Sequence, residues 1–136
     1  MTESLTVSTV LNANPKDVFN AWMDSKAHSL FTNGVAVIDP VVGGDFSAWD
    51  GYIIGKTLEL HPFERIVQSW RTTDFPPNSL DSHLTISFQE ITGGTLITLN
   101  HVEIPDGQSA EYKQGWEDYY FSTMKEYFES RSTPDE

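Results

Sequence analysis

A glycine pair followed by an Asp-Gly turn constrains the fold of this chain more than any other sequence feature. The pair at 43–44 precedes a short apolar run, and Asp50-Gly51 separates that run from the strand-like segment 52–71. Glycine tolerates positive φ, so the backbone can bend sharply at the pair. Asp-Gly is a strong signal for a tight hairpin turn, and a second corner is predicted at 61–64. The stretch therefore predicts consecutive antiparallel strands. It contains no catalytic motif, so function must depend on what the sheet encloses.

Two kinds of periodicity organise the rest of the chain. Residues 5–11 alternate with a period of two, which is typical of a strand. Asn14 and Pro15 suit the N-cap and the first position of a helix, and its predicted buried stripe comprises Val18, Phe19, Trp22 and Met23. A second short helix is predicted near 24–30, before a turn at 33–34. Further strands are predicted at 35–39, 45–49, 52–60, 65–73, 83–90 and 95–102.

The last helix, predicted from about 109 to 130, carries an unusually broad aromatic face. At ~100° per residue, one side of this helix presents Tyr112, Trp116, Tyr119, Tyr120 and Tyr127. Such a face predicts a helix that lies across a curved sheet and buries its rings. The polar tips of Tyr and Trp need partners when buried, which suits a packed core or the wall of a partly wet pocket. Gly115 is unfavourable in a helix interior, so we expect another backbone to approach it closely.

Length, charge and composition exclude several classes of protein. The 136 residues fit one domain, 1–136, with an expected ordered part of roughly 4–130. A net charge of −12 argues against nucleic acid and against anionic membrane surfaces. Membrane insertion is not expected, because the chain has no run of ~18 apolar residues. With no cysteine and no signal-peptide pattern at the N-terminus, the expected location is cytoplasmic.

Motifs for enzyme chemistry are missing from the sequence. It has no G-x-S-x-G elbow, no phosphate-binding loop and no H-E-x-x-H motif. Its four histidines are scattered without the spacing of metal ligands. We therefore predict no catalytic residue, no metal and no cofactor, although a triad assembled from distant segments would escape a search for motifs.

Several motifs together resemble a known family. They are the glycine pair at 43–44 with Trp49 and Gly55-Lys56, the run 64–71, the segment from Gly93 through His101 to Gly107, and Gly115-Trp116 with Tyr119-Tyr120. Over roughly residues 5–129 the chain is similar to the homologues of the activator of the heat-shock-protein-ninety ATPase, within the START-like (SRPBCC) superfamily. The resemblance implies an α+β helix-grip fold. In this fold a curved antiparallel sheet of about seven strands wraps a long C-terminal helix, with two short helices after the first strand. Many relatives hold a hydrophobic ligand between sheet and helix.

Each candidate site residue has a structural alternative. His101 is in phase with the apolar residues before it, so it is either a hydrogen-bonded core residue or a pocket contact. Trp70 is either core or cavity lining, and Arg71 either pairs with a carboxylate or clamps an anionic ligand. Trp49 and Phe46 are each either core residues or residues of the pocket rim. The predicted cavity lining is Phe46, Trp49, Trp70, Arg71, His101, Trp116 and Tyr120.

Three functions follow from these residues and from the resemblance. The first is a non-catalytic binding domain for a small hydrophobic, aromatic or lipid-like ligand. The second is a protein-interaction or co-chaperone-like module whose partner is a chaperone or another protein. The third is an uncharacterised enzyme that uses the cavity. An open pocket of ~300 Å³ or more favours the first function, and a filled interior favours the second.

Overall fold

The computed structural model describes residues 2–131, in which seven strands form one antiparallel sheet with the order β1-β7-β6-β5-β4-β3-β2. The strands are β1 (Thr2–Leu11), β2 (Val37–Ile38), β3 (Asp45–Ala48), β4 (Ile53–His61), β5 (Arg65–Thr72), β6 (Ser82–Ile91) and β7 (Gly94–Pro105). Two short helices, α1 (Pro15–Met23) and α2 (Ser25–Thr32), follow β1. The C-terminal helix comprises α3 (Ser109–Gly115), a π-helical segment (Trp116–Phe121) and α4 (Ser122–Arg131). The predicted helix-grip fold is confirmed. The tail beyond the predicted ordered range includes residues 132–136, which lie outside the described part of the chain.

The helix after β1 begins as its sequence predicts. Asn14 Oδ1 accepts a hydrogen bond of 2.9 Å from the backbone N–H of Asp17, and Pro15 occupies the first turn. The predicted stripe of four apolar residues on α1 is buried. The next helix, α2, is capped by Asp24, whose Oδ2 accepts from Ala27 N–H at 2.8 Å. These two caps place α1 and α2 end to end beside the sheet.

The edge strand β2 is much shorter than the predicted 35–39. Two serine hydroxyls of α2, one helical turn apart, bind the backbone in and next to β2. They occupy the place where a further strand would pair with it. Ser29 Oγ accepts from Ala36 N–H at 2.8 Å, and Ser25 Oγ accepts from Ile38 N–H at 2.8 Å. Both hydroxyls also lie within hydrogen-bond distance of the carbonyl oxygens of these two residues. The helix therefore covers this edge, where unpaired backbone groups would otherwise be open to another strand.

The C-terminal helix departs from the prediction in its hydrogen bonding. It does not break at Gly115, whose φ of −63° and ψ of −41° are helical, but it becomes a π-helix from Trp116 to Phe121. A π-helix winds fewer degrees per residue, so the buried face shifts along the helix. Trp116, Tyr120 and Phe121 are buried, whereas Tyr119 is 60% exposed. The prediction that Tyr119 is buried with its neighbours was wrong for this reason.

The expected reason for Gly115 was also wrong. A Cβ atom at this position would meet nothing closer than Tyr119 Cδ2, at 4.0 Å. No backbone of another described element therefore approaches Gly115, and the glycine leaves open space beside the helix.

Candidate functional site

A cavity of about 380 Å³ lies between the C-terminal helix and the inner face of the sheet. All its lining residues except Ile53 and Gly115 are aromatic: Trp49, Tyr52, Ile53, Trp70, Tyr112, Gly115, Trp116, Tyr119 and Tyr120. Ligand pockets usually have volumes of ~300–1,000 Å³ and mostly apolar walls. The cavity thus has the size and the surface of a site for a small apolar molecule.

Three parts of the fold supply this lining. Trp70 points inward from β5, and the α3 and π segments of the C-terminal helix supply the opposite wall. Trp49 lies in the turn between β3 and β4 at a φ of 54°, which is uncommon for a bulky residue. Its indole packs on Gly34 so closely that a Cβ there would lie 2.6 Å from Trp49 Cε3. The predicted hairpin turn at 50–51 therefore begins at Trp49, and the turn places this ring at the cavity.

The inner wall of the cavity is a cluster of rings in edge-to-face and tilted contact. The Trp70 ring lies 5.5 Å from that of Trp116 and 5.0 Å from that of Tyr112, measured between centroids. Trp116 and Tyr120 are 4.8 Å apart. At the more exposed rim, Trp49 meets Tyr119 edge to face at 6.0 Å. Rings at these separations attract one another and hold the wall in one arrangement.

A buried hydrogen-bonded chain fixes Trp116 from behind. Trp116 Nε1–H donates to His101 Nδ1 at 3.2 Å, and His101 Nε2 lies 2.8 Å from Ser82 Oγ. Because Ser82 Oγ donates to the carbonyl oxygen of Trp70 at 2.6 Å, its oxygen accepts from His101 Nε2–H. These partners require a neutral histidine protonated on Nε2. Burial lowers the pKa of His101 to about 3, which agrees with this state.

A second buried histidine fixes Tyr120 in the same way. His28 Nδ1 lies 2.9 Å from the carbonyl oxygen of Trp22, which can only accept, so Nδ1 carries the proton. The Tyr120 hydroxyl then donates to His28 Nε2, also at 2.9 Å. Burial lowers the pKa of His28 to about 4, although its hydrogen bond to Trp22 acts in the opposite direction. Burial also raises the pKa of Tyr120, so both groups stay neutral.

Hydrogen bonds also hold two further tyrosines of the lining, Tyr52 on the sheet side and Tyr112 on α3. The Tyr52 hydroxyl donates to Asp74 Oδ2 at 2.6 Å. The Tyr112 hydroxyl donates to Gln108 Oε1 at 2.6 Å and accepts from Thr72 Oγ1 at 2.7 Å. Burial raises the pKa of both tyrosines, and the charge of Asp74 adds to this effect. Four polar tips of the lining are thus engaged within the protein, so the cavity presents mainly ring surfaces.

The structure brings four of the seven predicted lining residues together. Trp49, Trp70, Trp116 and Tyr120 border the cavity, and His101 lies behind Trp116 rather than in the lining. Arg71 follows Trp70 on β5, so its side chain points to the opposite face of the sheet. There its Nη1 binds Asp81 Oδ1 at 2.7 Å.

Phe46 also lies outside this cavity. Its ring covers Gly55 of the neighbouring strand, where a Cβ would be 2.7 Å from Phe46 Cε2. Both Phe46 and Arg71 border a separate, mixed polar depression on the sheet. The predicted polar contacts from Arg71 and His101 to a ligand therefore have no geometric basis.

Some residues of the site were not predicted. Tyr112 lies one helical turn before Trp116, and that spacing could have added it to the lining. His28 shares the i, i+3 spacing of a helix face with Phe31, which is buried beside it. Gly115 gave a signal as a glycine within an aromatic helix, but the reason we attached to it was wrong.

Among residues 2–131, no three His, Asp or Glu side chains are grouped so that they could hold a metal ion. Within the same range, no helix has both the length and the apolarity needed to cross a bilayer.

Comparison with known proteins confirms the resemblance predicted from the motifs. The family model described as Activator of Hsp90 ATPase homolog 1-like protein matches residues 12–129. The chain is 26% identical to the human Activator of 90 kDa heat shock protein ATPase homolog 1 over 124 residues, which are 91% of this chain and 36% of that protein. It is likewise 26% identical to the homolog from Dictyostelium discoideum, over 93% of this chain and 33% of that protein. The chain thus spans about a third of the length of these curated relatives.

Solved structures match the fold of this chain over nearly their whole length. A crystal structure of an HSP90 activator from Plasmodium falciparum matches with a TM-score of 0.85 and 25% identity, covering 91% of this chain and 94% of that one. A protein from Chromobacterium violaceum matches with a TM-score of 0.75 and 27% identity, covering 93% and 96%. The Aha1 dimer from Colwellia psychrerythraea, at 14% identity and a TM-score of 0.79 over 93% and 96%, shares the fold.

Proposed function

Since this chain belongs to the family of Activator of Hsp90 ATPase homolog 1-like proteins, we propose that it is a non-catalytic binding domain of that fold. Its ligand is a small hydrophobic or aromatic molecule held between the sheet and the C-terminal helix. The predicted cytoplasmic location stays part of this proposal.

The observation that supports the proposal is the aromatic cavity of about 380 Å³. A ligand that buries ~300 Å² of apolar surface gains ~8 kcal/mol in gross terms at ~25 cal/mol per Å². The loss of translational and rotational freedom on association reduces this value. We therefore expect dissociation constants in the micromolar range or weaker for purely apolar ligands.

The hydrogen bonding of the lining supports binding rather than turnover. A general acid or base must reach the reacting atom of a substrate. The tyrosine hydroxyls of Tyr52, Tyr112 and Tyr120 instead bind groups of the protein. The two buried histidines likewise bind partners behind the wall.

Titration with N-phenyl-1-naphthylamine, a neutral fluorescent probe, tests the proposal. Gly115→Leu adds a side chain to the lining at a position with room for it, and we expect at least a tenfold loss of affinity. Ala110→Leu is the matched control, because Ala110 lies on the exposed side of the same helix, and its affinity should equal that of wild type. A wild-type protein without saturable binding, or equal affinities in all three proteins, would refute the proposal.

A second candidate function, a co-chaperone-like module, is favoured by the relatives and by an exposed apolar region. The human relative is named Activator of 90 kDa heat shock protein ATPase homolog 1, and the Plasmodium falciparum protein is described as an HSP90 activator. Around the short edge strand β2, the side chains of Val35, Val37, Val41 and Val42 are between 51% and 62% exposed. Exposed apolar groups near one another suit a protein partner.

This candidate is tested by measuring the ATPase rate of purified Hsp90 with and without the chain. Stimulation that Val37→Asp abolishes and Gly115→Leu leaves intact would support a docking function separate from the cavity. A rate unchanged by saturating wild-type chain would exclude ATPase activation by this chain alone.

A further inference from the structure

We propose that the preferred occupant of the cavity is a hydrophobic organic cation, such as a quaternary ammonium or a protonated aromatic amine, held against the aromatic rings. This inference rests on the proposed function and gives it a charge preference. It follows from three observations on the lining and its surroundings.

The first observation is the density of rings around one space. Trp49, Trp70, Trp116 and the four tyrosines of the lining surround the cavity, with Ile53 and Gly115 as the other members. A cation near the face of an aromatic ring is attracted by the ring quadrupole, most strongly by tryptophan. Several rings around one space are the arrangement that recognises alkylated ammonium groups.

The second observation is that the lining cannot neutralise an anion. It contains no lysine and no arginine. Lys56 and Arg71 border the other depression of the sheet, where they are paired with Asp45 and Asp81 at 2.6 and 2.7 Å. The Trp116 Nε1–H and the Tyr120 hydroxyl donate to histidines behind the wall. A carboxylate or sulfonate ligand would therefore enter the cavity without a charged partner.

The third observation is the negative charge beside two residues of the lining. Asp74 accepts the hydrogen bond of Tyr52. Burial raises the pKa of Tyr112, and the charges of Asp74 and Glu111 raise it further, so both carboxylates act on the lining. The chain as a whole carries a net charge of −12. These charges favour a cation over an anion and add to the attraction of the rings.

The test uses three ligands of similar shape and different charge: benzyltrimethylammonium, its neutral isostere neopentylbenzene, and 4-tert-butylbenzoate. Each ligand displaces the neutral naphthylamine probe from wild-type protein. We expect the cation to bind at least about threefold more tightly than the neutral isostere, which corresponds to ~0.65 kcal/mol and lies within the range of ~0.5–1 kcal/mol for ring–cation attraction at exposed sites. The anion should bind most weakly.

Variants separate ring attraction from apolar contact and from folding. Trp49→Leu keeps an apolar rim but removes a ring, so the ratio of cation to neutral affinity should fall at least twofold. Glu111→Gln, at an exposed position outside the lining, should weaken the binding of the cation and leave that of the neutral ligand unchanged. Thermal melting verifies that each variant is folded.

The outcomes distinguish failure of the cation preference from failure of the binding function itself. If the neutral ligand binds as tightly as the cation, the cation preference is wrong while the binding function stands. If the naphthylamine probe itself does not bind, both the binding function and the cation preference are wrong.

Discussion

The two ends of the interface between helix and sheet are packed in opposite ways. At the closed end, Met124 and Phe128 of α4 belong to a core with the inward residues of β1, β7 and α1, among which Leu11, Val18 and Ile97 are fully buried. At the open end, the helix carries a glycine and four rings, and a cavity of about 380 Å³ remains. The same helix and the same sheet thus form a filled core at one end and a site at the other.

The difference teaches that side-chain shape and hydrogen bonding, rather than the backbone fold, decide whether this interface encloses a cavity. Flexible and aliphatic side chains such as Met124 adapt to irregular gaps. The rings of Trp116 and Tyr120 are rigid, and buried histidines hold their polar tips. Such rings cannot turn into the free space beside Gly115, so the space persists.

The largest effect is expected from Phe19→Ala at the closed end. The Phe19 ring contacts Phe63 and Phe88 at centroid distances of 5.5 Å. Removing it from a filled core should lower the free energy of unfolding by about 3–5 kcal/mol. Urea unfolding monitored by circular dichroism measures the change, with probe binding to the refolded variant as a second readout. A loss below about 1 kcal/mol would mean that this end is not closely packed.

Acid should destabilise the open end next, through its two histidines. The folded-state pKa of His101 is lowered to about 3 and that of His28 to about 4, from 6.5. A histidine whose pKa is lowered in the folded protein takes up a proton more readily in the unfolded chain. Its full contribution to the free energy of unfolding is therefore present above pH ~6.5 and is lost as the pH falls towards the folded-state pKa. Between pH 7 and pH 5 we expect a loss of about 2 kcal/mol for each histidine.

His101→Gln is the variant that checks this attribution. It cannot titrate, so the fall in unfolding free energy from pH 7 to pH 5 should be about half that of wild type. A slope equal to that of wild type would show that His101 does not carry the effect. Glu3, whose pKa is lowered to about 2 mainly by its hydrogen bonds to Ser109, acts in a different range. Its contribution is present above pH ~4.5 and is lost below it.

A smaller effect of opposite sign is expected at Gly115. Alanine is favoured over glycine in a helix interior by about 1 kcal/mol, and the added Cβ has room. Gly115→Ala should therefore stabilise the protein by up to about 1 kcal/mol while it weakens ligand binding. Unfolding and probe titration are measured on the same sample. A destabilised variant would indicate that the space beside Gly115 is needed for packing rather than for a ligand.

The smallest effect is expected at the rim. Tyr119 is 60% exposed, and Tyr119→Ala should change the free energy of unfolding by no more than about 0.5 kcal/mol. Its affinity for an aromatic ligand should nevertheless fall, because the ring belongs to the lining. An unchanged affinity would restrict the site to the inner wall of the cavity.

The predictability of the fold contrasts with that of the site. The strands and the first helix follow from local patterns, such as alternation in 65–72 and the Asn14-Pro15 start of α1. The short β2 could not be predicted, because its length depends on serines from another element. The π-helical segment is a change in hydrogen bonding that the residue pattern does not reveal.

Within the site, residues were predicted well where one element determines their direction. Trp70 and Trp116 each lie on the apolar face of a regular element, and both line the cavity. Arg71 was misplaced although alternation along β5 already assigns it to the other face. His101 was predicted on the correct face of the sheet, but it was predicted to contact the cavity directly. Only the packed structure shows that Trp116 lies between His101 and the cavity.

The pairing of the first strand with the last has a consequence for how the protein is made. Thr6 of β1 lies opposite Asn100 of β7, so β1 has no partner until β7 has left the ribosome. Closing so long a loop is entropically unfavourable, and sheets built from distant segments fold slowly. The cavity needs residues from Trp49 to Tyr120, so a ligand can be captured only after Tyr120 has been added and the C-terminal helix has packed on the sheet. Until β7 emerges, the nascent chain leaves the apolar faces of β1 and α1 uncovered.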